Sequence, residues 1–247
     1  MKKLLSLLIL ISVLEPSKVH AVDLIFGATT WWAWWDMKQK RTVEDRTFTD
    51  TDINTEPTLL IDYTFTLKFN DDFNLSFLFL FGLPVFERSG YSLPGNIHFT
   101  EKGIATRIDS DITLNYRLNY YFKVFAGAKH LGTYITEGER FRSYGPELGL
   151  GFTFPILDNL FFLANLSGFY LWGNEKQPDA GGNTKINDYG INSTLSLAYY
   201  IAPASTTISL GGKYQYIKTD YNDDSEGEYR KCTFYGVTLS VTYTFNI

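Results

Sequence analysis

Asp109 and Asp111 stand two residues apart in the stretch RIDSDITLNYR, residues 107–117. In an extended chain, residues i and i+2 project from the same face, so these two carboxylates could polarise one water molecule between them. Such a pair becomes an effective general base when an imidazole is in reach. The chain has three histidines. His20 lies near the N-terminus, His98 in a charged connecting stretch, and His130 has the parity opposite to Lys129. Without an imidazole on their face, Asp109 and Asp111 read as ion-pair partners for Arg107 and Lys129.

A second cluster of oxygen ligands lies in TDYNDDSEGEYRK, residues 219–231, where Asp220, Asn222 and Asp224 have the spacing of the first three ligands of a calcium-binding EF-hand loop. Ser225 stands where that loop needs glycine and Lys231 where it needs a bidentate glutamate, so no metal site is expected there. The sequence also has no G-x-S-x-G elbow, no H-E-x-x-H, no phosphate-binding P-loop and no G-x-G-x-x-G after a strand. No catalytic residue, metal or cofactor is therefore expected.

The elements that carry these charges are extended. Residues 58–81, TLLIDYTFTLKFNDDFNLSFLFLF, place Leu59, Ile61, Tyr63, Phe65, Leu67 and Phe69 on one face and Asp62, Thr64, Thr66 and Lys68 on the other. After NDD the alternation resumes with Phe73, Leu75, Phe77, Phe79 and Phe81. Similar period-two segments span about 23–36, 57–69, 73–84, 104–118, 120–131, 147–156, 160–172, 187–201, 206–218 and 233–246, which are ten strands. The breaks between them alternate. NDD at 70–72, Asn119, LDN at 157–159 and APAS at 202–205 are tight, whereas 37–56, 85–103, 132–146, 173–186 and 219–232 are long and charged. The first of these, with Lys38, Lys40 and Arg41 just beyond Trp34 and Trp35, reads as an exposed mobile loop whose cations could meet lipid phosphates.

Alternation alone does not separate a soluble sandwich from a membrane barrel, because both have one apolar face. Three features favour the barrel. Every segment alternates and none is apolar on both faces, whereas a sandwich protects short edge strands. Outward-parity aromatics gather at both ends of the strands, as Phe69, Phe73, Tyr116, Phe122, Phe154, Tyr199, Tyr243 and Phe245 at the tight turns and as Trp32, Trp34, Tyr170, Trp172, Tyr189, Tyr214, Tyr216 and Tyr235 toward the long breaks. Finally, MKKLLSLLILISVLEPSKVHA has the charged start, short apolar run and small-residue end of a secretory signal peptide cleaved after Ala21. This gives a signal peptide at 1–21 and a barrel domain at 22–247.

The remaining composition agrees with an exported barrel. Aromatic residues make up 17%, with 20 Phe and 17 Tyr, yet mean hydropathy is −0.12, which fits strands with one greasy face. Removing residues 1–21 takes away three basic residues and one acidic residue, moving the formal charge from −5 to −7. Nucleic acid is excluded as a partner on that charge. Cys232 is the only cysteine, so no internal disulfide can form.

Taken over the whole mature chain, these residues resemble a small bacterial outer-membrane β-barrel protein. The resemblance implies an all-β, transmembrane, up-and-down antiparallel barrel of about ten strands, with eight or twelve if one hairpin is misread. It implies both termini in the periplasm, outer-membrane lipid around the barrel, and insertion by the barrel-assembly machinery. The ending YGVTLSVTYTFNI is similar to the C-terminal assembly signal of that class, with Asn246 and Ile247 added after the aromatic Phe245. Ten-stranded proteases of the omptin family use an Asp pair opposite an Asp–His pair near the outer rim. The likeness to them stops at strand count and the single pair Asp109 and Asp111.

The lumen is then the place to look for function. Its inward charges are Asp62, Asp109, Asp111, Lys129 and Lys213 near mid-height, Lys68, Arg117 and Lys123 near the tight-turn end, together with Arg107 and Glu147. Inward Gly27, Gly82, Gly127, Gly149, Gly151, Gly190, Gly211 and Gly236 leave room for long side chains and for Trp31 and Trp35. Three readings follow. The charges form a salt-bridge network that fills a structural or surface-binding barrel, or they line a narrow porin-like conduit for small solutes. The third is an outer-membrane hydrolase of unrecognised type, which would need an acid, a base and oxyanion donors converging on one cavity.

Overall fold

The computed structural model describes residues 23–43, 46–55, 57–92, 97–135, 138–176, 183–222 and 228–245. The signal-peptide segment, Asn246 and Ile247 lie outside them. Twelve strands form one antiparallel sheet. They are β1 (Asp23–Val43), β2 (Arg46–Thr55), β3 (Thr58–Lys68), β4 (Phe73–Gly82), β5 (Val85–Ser92), β6 (Ile97–Arg117), β7 (Phe122–Ile135), β8 (Arg140–Leu157), β9 (Leu160–Lys176), β10 (Asn183–Ile201), β11 (Thr206–Tyr221) and β12 (Tyr229–Phe245).

The twelve strands make ten staves. β2 and β3 both pair with β1, one above the other, and β4 and β5 both pair with β6. Each of these staves is interrupted at a proline, Pro57 in one and Pro84 in the other, which has no N–H to donate to the ladder. The ring closes where β1 meets β12, in register from Leu24↔Phe245 to Lys40↔Tyr229. Closure leaves no edge strand, so every stave has a hydrogen-bonding neighbour on both sides.

Side-chain parity holds around the whole ring. Thr29 faces Asp62, Asp62 faces Leu80, Leu80 faces Asp109, and Asp109 faces Leu131, all on the inner surface. The outer surface carries Phe79, Ile112, Leu150, Leu195, Leu210 and Leu239, each exposed. An uninterrupted exposed apolar band of this kind has no counterpart on a soluble monomer, where such patches are small. It matches the hydrocarbon-facing belt of a membrane barrel.

The aromatic residues expected at the two rims point outward. Trp32, Tyr170, Trp172, Tyr214 and Tyr235 are exposed at one height, and Phe69, Phe73, Tyr116, Phe122, Phe154, Tyr199, Tyr243 and Phe245 at the other. Trp34, Tyr189 and Tyr216 are half-buried in the first group. Trp34 stacks on Tyr235 at 5.8 Å, and Lys218 Nζ donates to Tyr189 Oη at 2.6 Å.

The expected tight turns at 70–72, 119, 157–159 and 202–205 lie at the end where Asp23 and Phe245 meet. Two are closed by asparagine side chains. Asn70 Oδ1 accepts from the N–H groups of Asp72 and Phe73, both at 2.8 Å, and Asn119 Oδ1 from those of Tyr121 and Phe122 at 2.8 and 2.9 Å. A side chain that mimics a backbone acceptor lets the chain reverse in very few residues.

The opposite end differs from the sequence expectation. Residues 37–56 and 85–103 read as loops, yet most of them continue the staves as the upper part of β1, β2, β5 and the start of β6. β8, β9, β10, β11 and β12 likewise run several residues past their expected limits. The ladder propagates upward because paired backbone groups remain favourable in water. Only the apolar outer face is lost there, and with it the alternation that marks a strand in sequence.

Leu239 lies midway between the aromatic rims on β12. Leu239→Arg is expected to lower unfolding free energy in lipid vesicles by about 2–4 kcal/mol, and Tyr235→Arg at the rim by less than half of that. Equilibrium urea unfolding of the two variants checks the depth assignment.

Candidate functional site

The ten-stave ring is narrow enough for side chains on opposite walls to touch. β6 and β11 are five staves apart in either direction, hence diametrically opposed. Arg107 on β6 is only 2% exposed and meets the Gln215 side chain from the opposite wall. Its Nη2 donates to Gln215 Oε1 on β11 and to Asp109 Oδ2 at 2.5 Å, while Nε reaches Asp109 at 3.2 Å. The guanidinium lies 3.7 Å from the centre of the Phe234 ring. Phe234 in turn stacks on Trp35 at 5.4 Å with an interplanar angle of 10° and packs against Trp31 at 6.3 Å. Trp31 is fully buried. Arginine suits this place because its plane stacks on a ring while its edge forks to a carboxylate and an amide.

Below this crossbar, toward the tight turns, the charges pair over short spans. Lys213 Nζ donates to Asp62 Oδ2 at 2.8 Å and sits 4.5 Å from the Trp31 ring centre. Lys129 Nζ donates to both Asp111 oxygens at 2.7 and 2.8 Å and lies 3.6 Å from Glu147. Glu147 also accepts from Ser167 Oγ at 2.5 Å and Asn192 Nδ2 at 3.0 Å. Arg107, Asp109, Lys129, Glu147 and Asp62 are all under 5% exposed, and at that depth a charge is tolerated only with partners of this kind.

A second crossbar lies above the first. Arg230 on β12 is stacked 3.7 Å over the Phe141 ring of β8, four staves away. Its Nη2 donates to Thr219 at 3.2 Å and lies 3.9 Å from Asp188, and Nη1 lies 4.0 Å from Glu175. Thr219 itself donates to Asp188. Between the two arginines the free space shrinks to about 40 Å³, lined by Trp35, Leu131, Phe141, Ile217 and Phe234 among others. On the tight-turn side of Arg107 the lumen opens into a polar cavity of about 370 Å³.

The expected lumen charges thus fall into separate places. Asp62 with Lys213, Arg107 with Asp109, and Asp111 with Lys129 and Glu147 form the central tier. Lys68 and Arg117 are at the tight-turn mouth, where Lys68 meets Asp23 at 3.3 Å and Asp71 at 3.2 Å and Arg117 meets Asp72 at 3.3 Å. Lys123 belongs to neither group. Its ammonium stands 5.8 Å from the Phe125 ring centre and has no ion pair among the described residues. Gly149 and Gly151 make this arrangement fit, since a Cβ at Gly149 would run into the Phe125 ring and one at Gly151 into the Lys123 stem.

Sequence reasoning missed the upper crossbar. Glu175 and Arg230 fall in stretches read as loops, and Asp188 lies at the margin of its segment. Their signal was single-faced: Ile186 and Asp188, or Arg230, Cys232 and Phe234, keep inward parity after the outer face has become polar.

No family model matches the sequence, and neither does any curated protein. Solved structures do match. The outer membrane protease OmpT from Escherichia coli superposes with a TM-score of 0.61 at 10% identity over 90% of this chain and 97% of that one. The chain has the fold of the bacterial outer-membrane barrels. Outer membrane protein OprG from Pseudomonas aeruginosa gives 0.41 at 10% identity, covering 92% of this chain and 97% of that one. Neisserial surface protein A also gives 0.41, at 11% identity, covering 90% and 97%. Asp109 is engaged by Arg107 at 2.5 Å and Asp111 by Lys129 at 2.7 Å. His130 has outward parity, half-buried on β7.

Lys213→Ala leaves the Asp62 carboxylate buried without its cation and is expected to destabilise the barrel by about 3–5 kcal/mol. Asp62→Asn combined with Lys213→Met is expected to restore most of that loss. At the mouth, Asp72→Ala removes a solvent-screened pair and is expected to change stability by less than about 1 kcal/mol. Unfolding midpoints of these variants in one lipid separate the central tier from the rim.

Proposed function

We propose that the chain is an integral outer-membrane barrel with a closed lumen, acting as a structural and surface-presenting protein and not as an enzyme or an open pore. In this reading both termini and the tight turns lie on the periplasmic side, the long upper staves and their connections face outward, and lipid and the barrel-assembly machinery are the partners of the barrel wall. The observation that supports closure is the Arg107 crossbar. With Gln215 it bridges opposite walls of the ring, and its guanidinium lies 3.7 Å from the centre of the Phe234 ring and 5.7 Å from that of Trp31.

A second reading is a narrow conduit for small solutes. It is favoured by the polar cavity of about 370 Å³ below the crossbar, which is larger than packing requires. Conduction through it requires Arg107 to leave both Asp109 and the Phe234 ring.

Planar-bilayer recordings of the mature chain test closure. The wild-type protein is expected to give no discrete conductance steps, whereas Arg107→Ala with Phe234→Ala, verified as folded by its gel mobility before heating, is expected to give them. Regular steps from the wild type would establish the conduit and end the closed-lumen reading.

A further inference from the structure

The cavity on the tight-turn side of Arg107 holds the Lys123 ammonium, which has no ion pair among the described residues. The charges at its roof each have partners: Lys213 with Asp62, Arg107 with Asp109, and Lys129 between Asp111 and Glu147. Its walls mix the apolar Leu78, Leu80 and Phe125 with Ser76, Thr113, Asn115, Asn165 and Thr194, which contribute hydroxyl and amide groups. Lys123 projects into this space from β7. The residue beside it on β6 is Arg117, which turns away to Asp72 at the mouth. The residue beside it on β8 is Gly151, and the Lys123 stem occupies the room that this glycine leaves.

The placement looks built and not incidental. A Cβ at Gly151 would meet both the Lys123 stem and, at 2.8 Å, Asn165 Oδ1, so the lysine stem and the Asn165 amide border the same gap. Asn165 Nδ2 is held by Thr194 Oγ1 at 3.2 Å. The Phe125 ring face offers Lys123 a cation–π contact at 5.8 Å, an interaction weaker than a hydrogen-bonded counter-ion. A half-buried ammonium in a polar chamber, with hydroxyl and amide groups around it, has the makings of half a recognition site.

We infer that Lys123 anchors a binding site for a small polyhydroxylated monocarboxylate, entering from the tight-turn end. One unpaired cation matches one carboxylate, and the surrounding hydroxyl and amide groups match the hydroxyls of the ligand. A volume of about 370 Å³ lies at the small end of the range for ligand pockets. The site goes beyond the closed-lumen reading and does not depend on it, because binding at Lys123 needs access from one end only.

The test uses the folded mature barrel in detergent micelles, with gluconate as probe and its uncharged relative sorbitol as control. Gluconate is expected to shift the backbone amide signals of Gly151 and Asn165 saturably, and sorbitol to leave them in place. Lys123→Gln is expected to weaken gluconate binding about 10-fold or more, the loss of one charge-assisted hydrogen bond, while Lys123→Arg keeps it within about threefold. Asn165→Asp provides an independent variant: it retains Lys123 and supplies an internal carboxylate at the same gap, so it too is expected to weaken binding about 10-fold or more. Absence of a saturable shift in the folded wild type, an equal response to sorbitol, or undiminished binding in Lys123→Gln or Asn165→Asp would overturn the site. A conducting wild-type barrel would overturn the closed-lumen reading and leave this result standing.

Discussion

Hydrocarbon offers no hydrogen bonds, so every backbone N–H and C=O of a chain that crosses it must find a partner within the protein. For a sheet the only complete solution is a ring. Here the ring is completed by β1 and β12, which pair over the whole span from Leu24↔Phe245 to Lys40↔Tyr229. The remaining features follow from that closure. Once the ladder has no ends, each residue is committed to one surface, and one slip of register anywhere would turn Phe and Leu into the lumen and Asp and Lys into lipid. The unbroken parity from Thr29 through Asp62, Leu80, Asp109 and Leu131 is the visible result.

Ten staves also fix the width, and width decides what the inward residues do. A wider ring would leave its charges lining water. In this one, Arg107 reaches Gln215 on the opposite wall, and Arg230 lies across the lumen over Phe141. Both crossbars use the same chemistry, a guanidinium plane on a phenyl ring with its edge directed to oxygen. Lysine could not replace it, because an ammonium has neither the plane to stack nor the fork to hold two acceptors. Ion pairs this deep contribute little net stability, since desolvation offsets much of the attraction. Their effect is to select one arrangement of the interior, in which aromatic rings and arginines interleave.

Much of the fold was legible because the hydrocarbon band writes on both faces at once. The ten period-two segments, the aromatic rims and the Asn-closed turns all come from that band. Legibility faded where the band ended. Above the upper rim, Asp36, Lys38 and Lys40 show polar outward positions while Met37 and Gln39 still turn inward and are buried, so strands extend through stretches that look like loops. The central ion pairs between neighbouring staves, such as Asp111 with Lys129, could be anticipated from parity and depth alone. The crossbars could not, because Arg107 and Gln215 are 108 residues apart in sequence and meet only when the number of staves is known. Glu175, Asp188, Thr219 and Arg230 were hidden by both effects together.

The interior is asymmetric along its axis. The half nearer the tight turns is roomy and lined with hydroxyls and amides, whereas the half nearer the long staves is filled by Trp35, Phe234, Phe141 and the Arg230 tier. A barrel that needed filling only for stability could be packed alike at both levels, with large residues in place of Gly149, Gly151 and the small polar residues around them. Instead the glycines clear space for Phe125 and Lys123, and the volume beyond is left unfilled by side chains. In the closed-lumen reading the dense half is the sealed level, since one such level is enough to stop passage. The other half is left with open volume, and there Lys123 stands apart from the paired Lys129 and Lys213, with no ion pair among the described residues.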